Sequence, residues 1–248
     1  MTEEWNARPA PFDEHNQRLV GNVHPEDWEN PTPEGTYNLV ALGAGTAGLI
    51  SALGTAGLGG KVALIERHLM GGDCLNVGCV PSKALIAPAR LAARTRNAAE
   101  LGLTPSEPRK EDFPKVMERL RKIRADISHN DSAKRYTEKG VDVFIGEGAF
   151  TSRNTIEVGG REIRFKKAVI TTGARALHPD VPGLEAAGFL TNETVFNLTE
   201  LPEHLIVLGG GPIGCELAQA FRRLGSNVTI VEKARLLPRE DPEASAIL

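Results

Sequence analysis

This chain of 248 residues has few cysteines, few aromatic residues and a small net charge. Three cysteines are too few for the disulfide framework of a secreted domain, and no basic-then-apolar signal segment opens the chain. A net charge of -3 gives no electrostatic reason to expect nucleic acid or an anionic membrane as partner. The composition, 41% hydrophobic and 25% charged, fits a soluble globular protein, and we expect a reducing, cytoplasmic setting.

One uncharged stretch, residues 35–60, is long enough to cross a bilayer. Eight of its 26 residues are glycine, however, and their spacing indicates a strand, a tight turn, a helix, a glycine break and a second strand. The pattern therefore favours a nucleotide-binding unit over a membrane span.

Within that unit Gly43, Gly45 and Gly48 form the pattern GxGxxG directly after an apolar run. Glycines at these positions allow a tight turn, close approach of the backbone to a pyrophosphate, and close packing of helix on strand. Glu66 follows 18 residues after Gly48, where a carboxylate can accept hydrogen bonds from a ribose. The combination predicts a dinucleotide site at the start of this helix.

The arrangement occurs a second time, with Gly209, Gly211 and Gly214 followed by Glu232 at the same distance of 18 residues. One true site beside a chance glycine cluster is the alternative, and the matched spacing argues against it. Two dinucleotide folds suggest two dinucleotides, such as FAD and NAD(H).

Two cysteines, Cys74 and Cys79, lie in the stretch MGGDCLNVGCVPSKAL. A zinc site would need a further pair of ligands at knuckle spacing, and none is evident. On a regular helix an axial rise of ~7.5 Å would separate these thiols too far for a disulfide. We therefore expect Cys74 before, or in a distorted first turn of, a helix opened by Pro81, with Cys79 near its N-terminus, where the dipole favours a thiolate. Two buried apolar cysteines are the alternative, and Cys215 is interpreted as a small core residue.

With these motifs, residues 37 to about 240 resemble the pyridine nucleotide-disulfide oxidoreductases, the flavoenzyme family of dihydrolipoamide dehydrogenase, glutathione reductase and mercuric reductase. The resemblance implies an α/β fold. An N-terminal extension at 1–36 would precede a Rossmann-like FAD-binding domain at 37–203, with a parallel sheet and an antiparallel β insertion. Residues 204–248 would be the first βαβ part of a truncated NAD(P)-binding domain.

The resemblance also implies roles for single residues. Cys74 would be the interchange thiol that meets the substrate, and Cys79 the thiol stacked on the flavin. Lys83 would lie beside flavin N5 in a buried ion pair with Glu216; a solvated lysine and an exposed acid are the alternatives. The implied cofactor-binding residues are Gly43, Gly45, Thr46, Ala47, Gly48, Glu66, Gly72, Asp73, Lys83, Gly148, Thr172 and Gly173 for FAD, and Gly209, Gly211, Ile213, Gly214 and Glu232 for NAD(P)H.

The segment CLNVGCVPSK resembles the mercuric reductase and lipoamide dehydrogenase branch more than the glutathione reductases. Asp73 departs from the threonine that is common at this position in the family. Glu232 favours NADH because the 2′-phosphate of NADPH would meet a like charge there, although the neighbouring Lys233 carries the opposite charge. Family members continue with further segments, including a dimer-interface domain, so the sequence is interpreted as an amino-terminal portion. A homodimer is expected of the full-length family and is doubtful for this portion.

The resulting hypothesis is an FAD-dependent oxidoreductase that passes electrons from NAD(P)H through flavin to a Cys74–Cys79 disulfide. A small-molecule or metal-ion acceptor would follow, either mercuric ion or a disulfide such as lipoamide. A truncated, catalytically inactive flavin- or nucleotide-binding fragment is the alternative. A simple NAD-dependent dehydrogenase would leave the cysteine pair without a role.

Three further segments have weaker patterns. Apolar residues at helical spacing predict one amphipathic surface helix over 113–139, with its basic residues on a solvated face. A Gly159–Gly160 pair between alternating segments predicts a β-hairpin. Residues 1–36, which are polar and contain several prolines, are expected to be loosely ordered.

Overall fold

A computed structural model describes residues 9–106 and 112–247 of the chain. Its α-helices are α1 (Glu14–Val23), α2 (Thr46–Gly57), α3 (Gly72–Asn76), α4 (Cys79–Arg96), α5 (Phe113–Ser128), α6 (Ala133–Glu138), α7 (Leu184–Ala187), α8 (Pro212–Leu224) and α9 (Pro242–Ala246). Its strands are β1 (Thr36–Leu42), β2 (Val62–Glu66), β3 (Val141–Ile145), β4 (Gly148–Ser152), β5 (Thr155–Val158), β6 (Arg161–Ile170), β7 (His204–Leu208) and β8 (Asn227–Val231).

The chain forms two compact units, and helices α4 and α5 each contribute to both. The first unit comprises the described residues up to 80 and those from 122 to 193. The second comprises the described residues of 81–121 and 194–247. The domain limits at residues 36 and 203 remain a prediction.

The sheet of the first unit has the strand order β3-β2-β1-β6-β5-β4. Strands β3, β2, β1 and β6 are parallel, whereas β5 and β4 continue the sheet in antiparallel pairing. The connection between β5 and β6 is the Gly159–Gly160 turn, in which both glycines have positive φ. The predicted α/β fold, with a parallel sheet and an antiparallel insertion, is confirmed.

The central parallel strand β2 is buried on both faces. Residues 62–65 of β2 are all buried and apolar, as expected of a central parallel strand. Helix α2 covers one face with the small side chain of Ala52 and with Leu49, both of which belong to the core. The helix can therefore lie close to the strands, and the connection from β1 to α2 runs along the carboxyl edge of the sheet.

The expectation of a loosely ordered amino-terminal extension is wrong for residues 9–35; residues 1–8 lie outside the described residues. Helix α1 buries Leu19 and Val23 completely in the core of the first unit. Downstream, Asn30 exchanges two hydrogen bonds with the backbone of Ile145, of 2.9 and 2.7 Å. The indole Nε1 of Trp28 donates to the carbonyl of Val143. The polar composition did not indicate these contacts, because several of them are hydrogen bonds from side chains to the backbone of distant residues.

The single helix predicted over 113–139 is also wrong. Helix α5 ends at Ser128, a 3₁₀ turn covers His129–Asp131, and α6 starts after Ser132, whose hydroxyl accepts from the N–H of Arg135. A serine at an N-cap position favours the start of a new helix. The basic face is not wholly solvated, since Arg124 is 2% exposed.

The second unit contains the parallel pair β7 and β8 with α8 between them. Helix α8 begins with Pro212 in its first turn and ends at Gly225, whose φ of 117° is left-handed. Its buried side includes Phe221, whose ring lies 5.9 Å from that of Phe113. This is the βαβ arrangement predicted for the second glycine motif.

Within the described chain, none of the helices has both the length and the apolar character needed to cross a membrane. The uncharged stretch 35–60 forms the strand β1, a glycine turn and the short helix α2 instead.

Candidate redox site

The first glycine motif forms the turn between β1 and α2. Gly43 has a φ of +104°, and a side chain there would place its Cβ 2.3 Å from the carbonyl oxygen of Thr171. A Cβ on Gly48 would lie 1.8 Å from the carbonyl oxygen of Gly43. Gly45 is the N-cap of α2, and Thr46 and Ala47 are exposed in its first turn. The two tight contacts leave glycine as the residue that fits at positions 43 and 48.

Thr171 holds this turn against the end of β6. Its backbone N–H donates to the carbonyl of Leu42, and its hydroxyl lies 2.8 Å from the carbonyl of Gly43. The predicted residues Thr172 and Gly173 follow directly, with Gly173 at a φ of +69°. Thr171 was missed because its role depends on β6 lying beside β1, an adjacency that the sequence does not encode locally.

Glu66, the last residue of β2, reaches the glycine turn. One carboxylate oxygen accepts from the N–H of Ala44 at 2.7 Å, and the other accepts from the N–H of His68 at 2.8 Å. Each carboxylate oxygen has a further lone pair, so ribose hydroxyls can still be bound. Gly148 begins β4 beside Leu42, which a Cβ at 148 would approach to 2.8 Å. The glycine turn, Glu66 and Gly148 form a cradle at the carboxyl ends of β1 and β2, where open α/β sheets bind ligands.

The cysteine segment is attached directly to the glycine turn. The N–H of Gly71 donates to the carbonyl of Ala44 at 2.8 Å. A Cβ on Gly72 would lie 2.6 Å from the Cα of Gly45, so two glycines allow the two loops to touch. The structure thus brings the predicted nucleotide loop and the predicted redox loop together.

The two thiols do not share one regular helix, which agrees with their spacing, but the separate helix that carries Cys74 was not predicted. Cys74 belongs to the short helix α3, and Cys79 is the first residue of α4. Gly78 permits the turn between them, because a Cβ there would lie 2.8 Å from the carbonyl of Asp73. Cys74 and Cys79 are reduced and hydrogen-bonded to each other, with Cys74 half-buried and Cys79 exposed.

Burial first, and then a hydrogen bond and charge from the neighbouring Cys79 side chain, raise the pKa of the Cys74 thiol to about 11. The backbone N–H of Cys79 acts in the opposite direction and lowers it. Asp131 adds a smaller repulsion, and burial raises the pKa of the Asp131 carboxyl as well. The Cys74 thiol therefore retains its proton over a wide range of pH above neutrality.

Alkylation of Cys74 by iodoacetamide should be slow at pH 8 and should accelerate up to about pH 11, because only the thiolate reacts. In Cys79→Ser both contributions of the Cys79 thiol disappear while the N–H of residue 79 stays. The pKa of Cys74 should therefore fall, and its alkylation rate at pH 8 should rise about tenfold. Mass spectrometry of the Cys74 peptide gives this rate. An unchanged pH midpoint in Cys79→Ser would contradict the coupling between the thiols.

Asp73 lies next to a second charge that the sequence did not point out. The Arg175 guanidinium lies 3.8 Å from the Asp73 carboxylate, and its Nε lies 3.2 Å from Glu193. Arg175 follows Gly173 by two residues. The acid that replaces the family's usual threonine is thus partly neutralised by the segment after β6.

Lys83 and Glu216, both in the second unit, form the predicted ion pair. The pair is not buried, which corrects the expectation: the side chains are 65% and 33% exposed, respectively. Lys83 projects from the solvent-facing side of α4, four residues after Cys79. The assignment of these residues to catalysis remains a prediction.

The second glycine motif repeats the first in its backbone contacts. A Cβ on Gly214 would lie 2.2 Å from the carbonyl of Gly209, and Gly211 is the N-cap of α8. Glu232 accepts from the N–H of Gly210 at 2.7 Å, as Glu66 does from Ala44. Ile213, in the first turn of α8, is 59% exposed.

The repeat extends beyond the pattern that the sequence revealed. Five residues after each glutamate, a left-handed residue donates its N–H to the carbonyl of the glycine turn: Gly71 to Ala44, and Leu237 to Gly210. Leu237 is the non-glycine residue with positive φ in the described chain, so its strained backbone serves this contact. The sequence did not indicate this contact, because leucine is not a residue type that predicts a left-handed backbone conformation.

Three backbone N–H groups, from Gly210 first and then Ala234 and Lys233, lower the pKa of Glu232. Its carboxylate is therefore ionised at neutral pH at the end of β8, where a dinucleotide ribose would lie in this type of fold.

Comparison with known proteins agrees with this geometry. The family model described as pyridine nucleotide-disulphide oxidoreductase matches residues 37–248. The chain belongs to this family. Members use FAD and a pyridine nucleotide, and the two glycine turns with their glutamates fit two dinucleotides.

The chain is 36% identical over 210 residues to a mercuric reductase from Bacillus cereus, a match of 84% of this chain and 33% of that protein. It is 32% identical to a dihydrolipoyl dehydrogenase from Acholeplasma laidlawii, over 84% of this chain and 63% of the relative. The structure of the HOCl-induced flavoprotein disulfide reductase RclA from Escherichia coli matches with a TM-score of 0.69 and 33% identity, over 85% of this chain and 45% of that one. The chain thus spans a third to less than two thirds of these relatives.

Proposed function

We propose that this protein is an FAD-dependent oxidoreductase that transfers electrons from NAD(P)H to the Cys74–Cys79 pair and on to a small acceptor. The observation that carries the proposal is the direct hydrogen bond of 2.8 Å between Gly71, which opens the cysteine helix, and Ala44 in the first glycine turn. A redox-active pair attached to a nucleotide loop is the arrangement that such electron transfer requires.

The first glycine turn, Glu66 and Gly148 would hold FAD, and the second turn with Glu232 would hold the pyridine nucleotide. When bound, the flavin supplies two-electron chemistry between the nicotinamide and a disulfide. The helix N-termini after each turn direct backbone N–H groups toward phosphates.

The protein's own contribution is the thiol chemistry. Reduction of the disulfide consumes two electrons and two protons and yields the thiols of Cys74 and Cys79. NADH provides a hydride, which is two electrons and one proton, and solvent provides the second proton. The hydrogen bond between the thiols lets one sulfur retain a proton while the other is a thiolate.

Two relatives indicate the acceptor class by their names: a mercuric reductase and a dihydrolipoyl dehydrogenase. With mercuric ion, two thiolates would give up two electrons to form the disulfide again and release elemental mercury. With a disulfide acceptor, Cys74 would give up its proton and attack one sulfur, and Cys79 would then displace the acceptor, which leaves as a dithiol with the two protons. Cys74 would be the sulfur that meets the acceptor.

The experiment is a thiol count on the oxidised, FAD-loaded protein after anaerobic addition of NADH. Two new thiols, mapped to Cys74 and Cys79, would support the proposal. An unchanged count would overturn it. Parallel turnover assays with mercuric ion and lipoamide would then decide between the acceptors.

Replacement of Glu232 with glutamine should relax the preference for NADH over NADPH. The carboxylate repels a 2′-phosphate, whereas the amide keeps the shape and one accepting oxygen. We expect the ratio of kcat/KM values for NADH and NADPH to fall about tenfold, as for the loss of one close like-charge contact. Glu240→Gln, which alters an exposed acid eight residues further on, is the control. Equal ratios in Glu232→Gln and the parent would contradict the assignment.

A further inference from the structure

The amino-terminal segment, residues 9–35, lies outside the family match that begins at residue 37, yet it contacts the cysteine loop. The link runs through Arg124, a side chain on α5 that is 2% exposed. One guanidinium nitrogen donates to the carbonyl of Asn76 at 2.8 Å, and another donates to the Oδ1 of Asn16 at 2.6 Å. Arg124 therefore joins helix α1 to a backbone position between the two cysteines.

Asn16 is built to accept this bond. It is completely buried, its N–H donates to the Asp13 side chain, and its amide nitrogen donates to the carbonyl of Pro11 at 2.7 Å. Because the amide nitrogen is engaged by Pro11, the oxygen is the atom that faces Arg124. Five residues of separation between Pro11 and Asn16 make this orientation a local property of the amino-terminal segment.

Asn76 extends the link through the whole cysteine loop. Its side-chain amide donates to the carbonyls of Met70 and Gly72, at 3.1 and 2.9 Å. The N–H of Met70 in turn donates to the carbonyl of Val23, the last residue of α1, at 3.1 Å. Both ends of α3, the helix that carries Cys74, are thus tied to the amino-terminal segment.

We propose that Asn16 and Arg124 are positioning residues for the Cys74–Cys79 couple, and that the amino-terminal segment holds the cysteine loop in the geometry in which the two sulfurs meet. This inference rests on the proposed function. A disulfide forms more readily when its thiols are held in contact, because less freedom is lost on closing the bond. Loosening the loop therefore makes the disulfide less stable relative to the dithiol and raises the reduction potential of the couple.

The test is the equilibrium of the Cys74–Cys79 couple with reduced and oxidised dithiothreitol, measured on the full chain by thiol trapping and mass spectrometry. Asn16→Leu removes the acceptor for Arg124. We expect the equilibrium constant for disulfide formation to fall about tenfold, which corresponds to a potential about 30 mV more positive. Asn16→Asp keeps an accepting oxygen for the guanidinium and, like leucine, loses the bond to Pro11, so it should stay within about twofold of the parent.

Asn30→Leu is the matched structural control. It removes two side-chain-to-backbone hydrogen bonds from the same segment, but those bonds go to Ile145 on β3 and not to the cysteine loop. It should lower the melting temperature while leaving the couple within about twofold of the parent. If Asn16→Leu fails to fold, Arg124→Lys replaces it in the same dithiothreitol equilibrium. Lysine keeps the positive charge but lacks the planar guanidinium that spans both acceptors.

The inference would be overturned if the equilibrium constant for disulfide formation changed equally in Asn16→Leu and Asn30→Leu. It would also be overturned if that constant were unchanged in both Asn16→Leu and Arg124→Lys. Failure of the proposed function would look different: the unaltered protein itself would form no Cys74–Cys79 disulfide in the same titration. A parent that forms the disulfide with variants that do not differ from it would leave the proposed function standing and remove the role of the amino-terminal segment.

Discussion

Serine at position 74 or 79 is expected to reduce NADH-dependent turnover of the FAD-loaded protein at least about 1,000-fold. Each sulfur forms half of the disulfide that accepts electrons, and a serine oxygen cannot replace it. The measurement is the steady-state rate with mercuric ion or lipoamide as acceptor, together with the flavin content of each variant.

Cys215→Ser is the control for this pair of variants. The Cys215 thiol lies in the second glycine motif, where its sulfur makes a long contact of 3.4 Å to the carbonyl of Gly210. We expect this variant to keep most of the rate. Comparable losses in all three serine variants would show that the effect comes from folding and would contradict the redox role of Cys74 and Cys79.

The second large effect is expected at Gly48. An alanine methyl group there would lie 1.8 Å from the carbonyl oxygen of Gly43, a backbone atom that cannot move without opening the turn. We expect Gly48→Ala to lower the free energy of unfolding by about 3 kcal/mol and to abolish retention of flavin. Urea unfolding and the ratio of flavin to protein after gel filtration give the two quantities.

Gly54→Ala, on the same helix α2, is the matched control, because a Cβ at that position would meet no atom within 4 Å outside the adjacent backbone of its own helix. The substitution should stabilise the helix by up to about 1 kcal/mol and leave flavin retention unchanged. If Gly48→Ala bound flavin as well as Gly54→Ala does, the first glycine turn would not be the flavin site.

Local patterns revealed the parts of the site that local geometry controls. The two glycine motifs, the distance to Glu66 and Glu232 and the Gly159–Gly160 hairpin all depend on short stretches in which residue type dictates backbone conformation. The rise of a helix alone indicated that Cys74 and Cys79 do not share one regular helix, whereas the short helix α3 that carries Cys74 was not predicted. The Lys83–Glu216 pairing, across 133 residues, came only from the family resemblance.

Contacts between distant segments were not visible in the same way. Helical periodicity placed Arg124 on a solvated basic face, whereas its acceptors lie 48 and 108 residues away in the chain. Periodicity alone would have continued α5 beyond Ser128, where the helix ends, and Ser132 then begins α6 as its N-cap. The amino-terminal segment was judged by its polar composition, although the side chains of Asn16 and Asn30 are satisfied by hydrogen bonds to backbone groups.

The most direct test of the central proposal is the visible spectrum of the FAD-reconstituted protein during an anaerobic titration with NADH. We predict bound flavin and a long-wavelength absorption band from a thiolate beside it. Cys79→Ser should lack this band, and Cys215→Ser should retain it. A protein that binds no flavin, or whose spectrum NADH does not change, would contradict the proposed electron transfer and favour a nucleotide-binding chain without turnover.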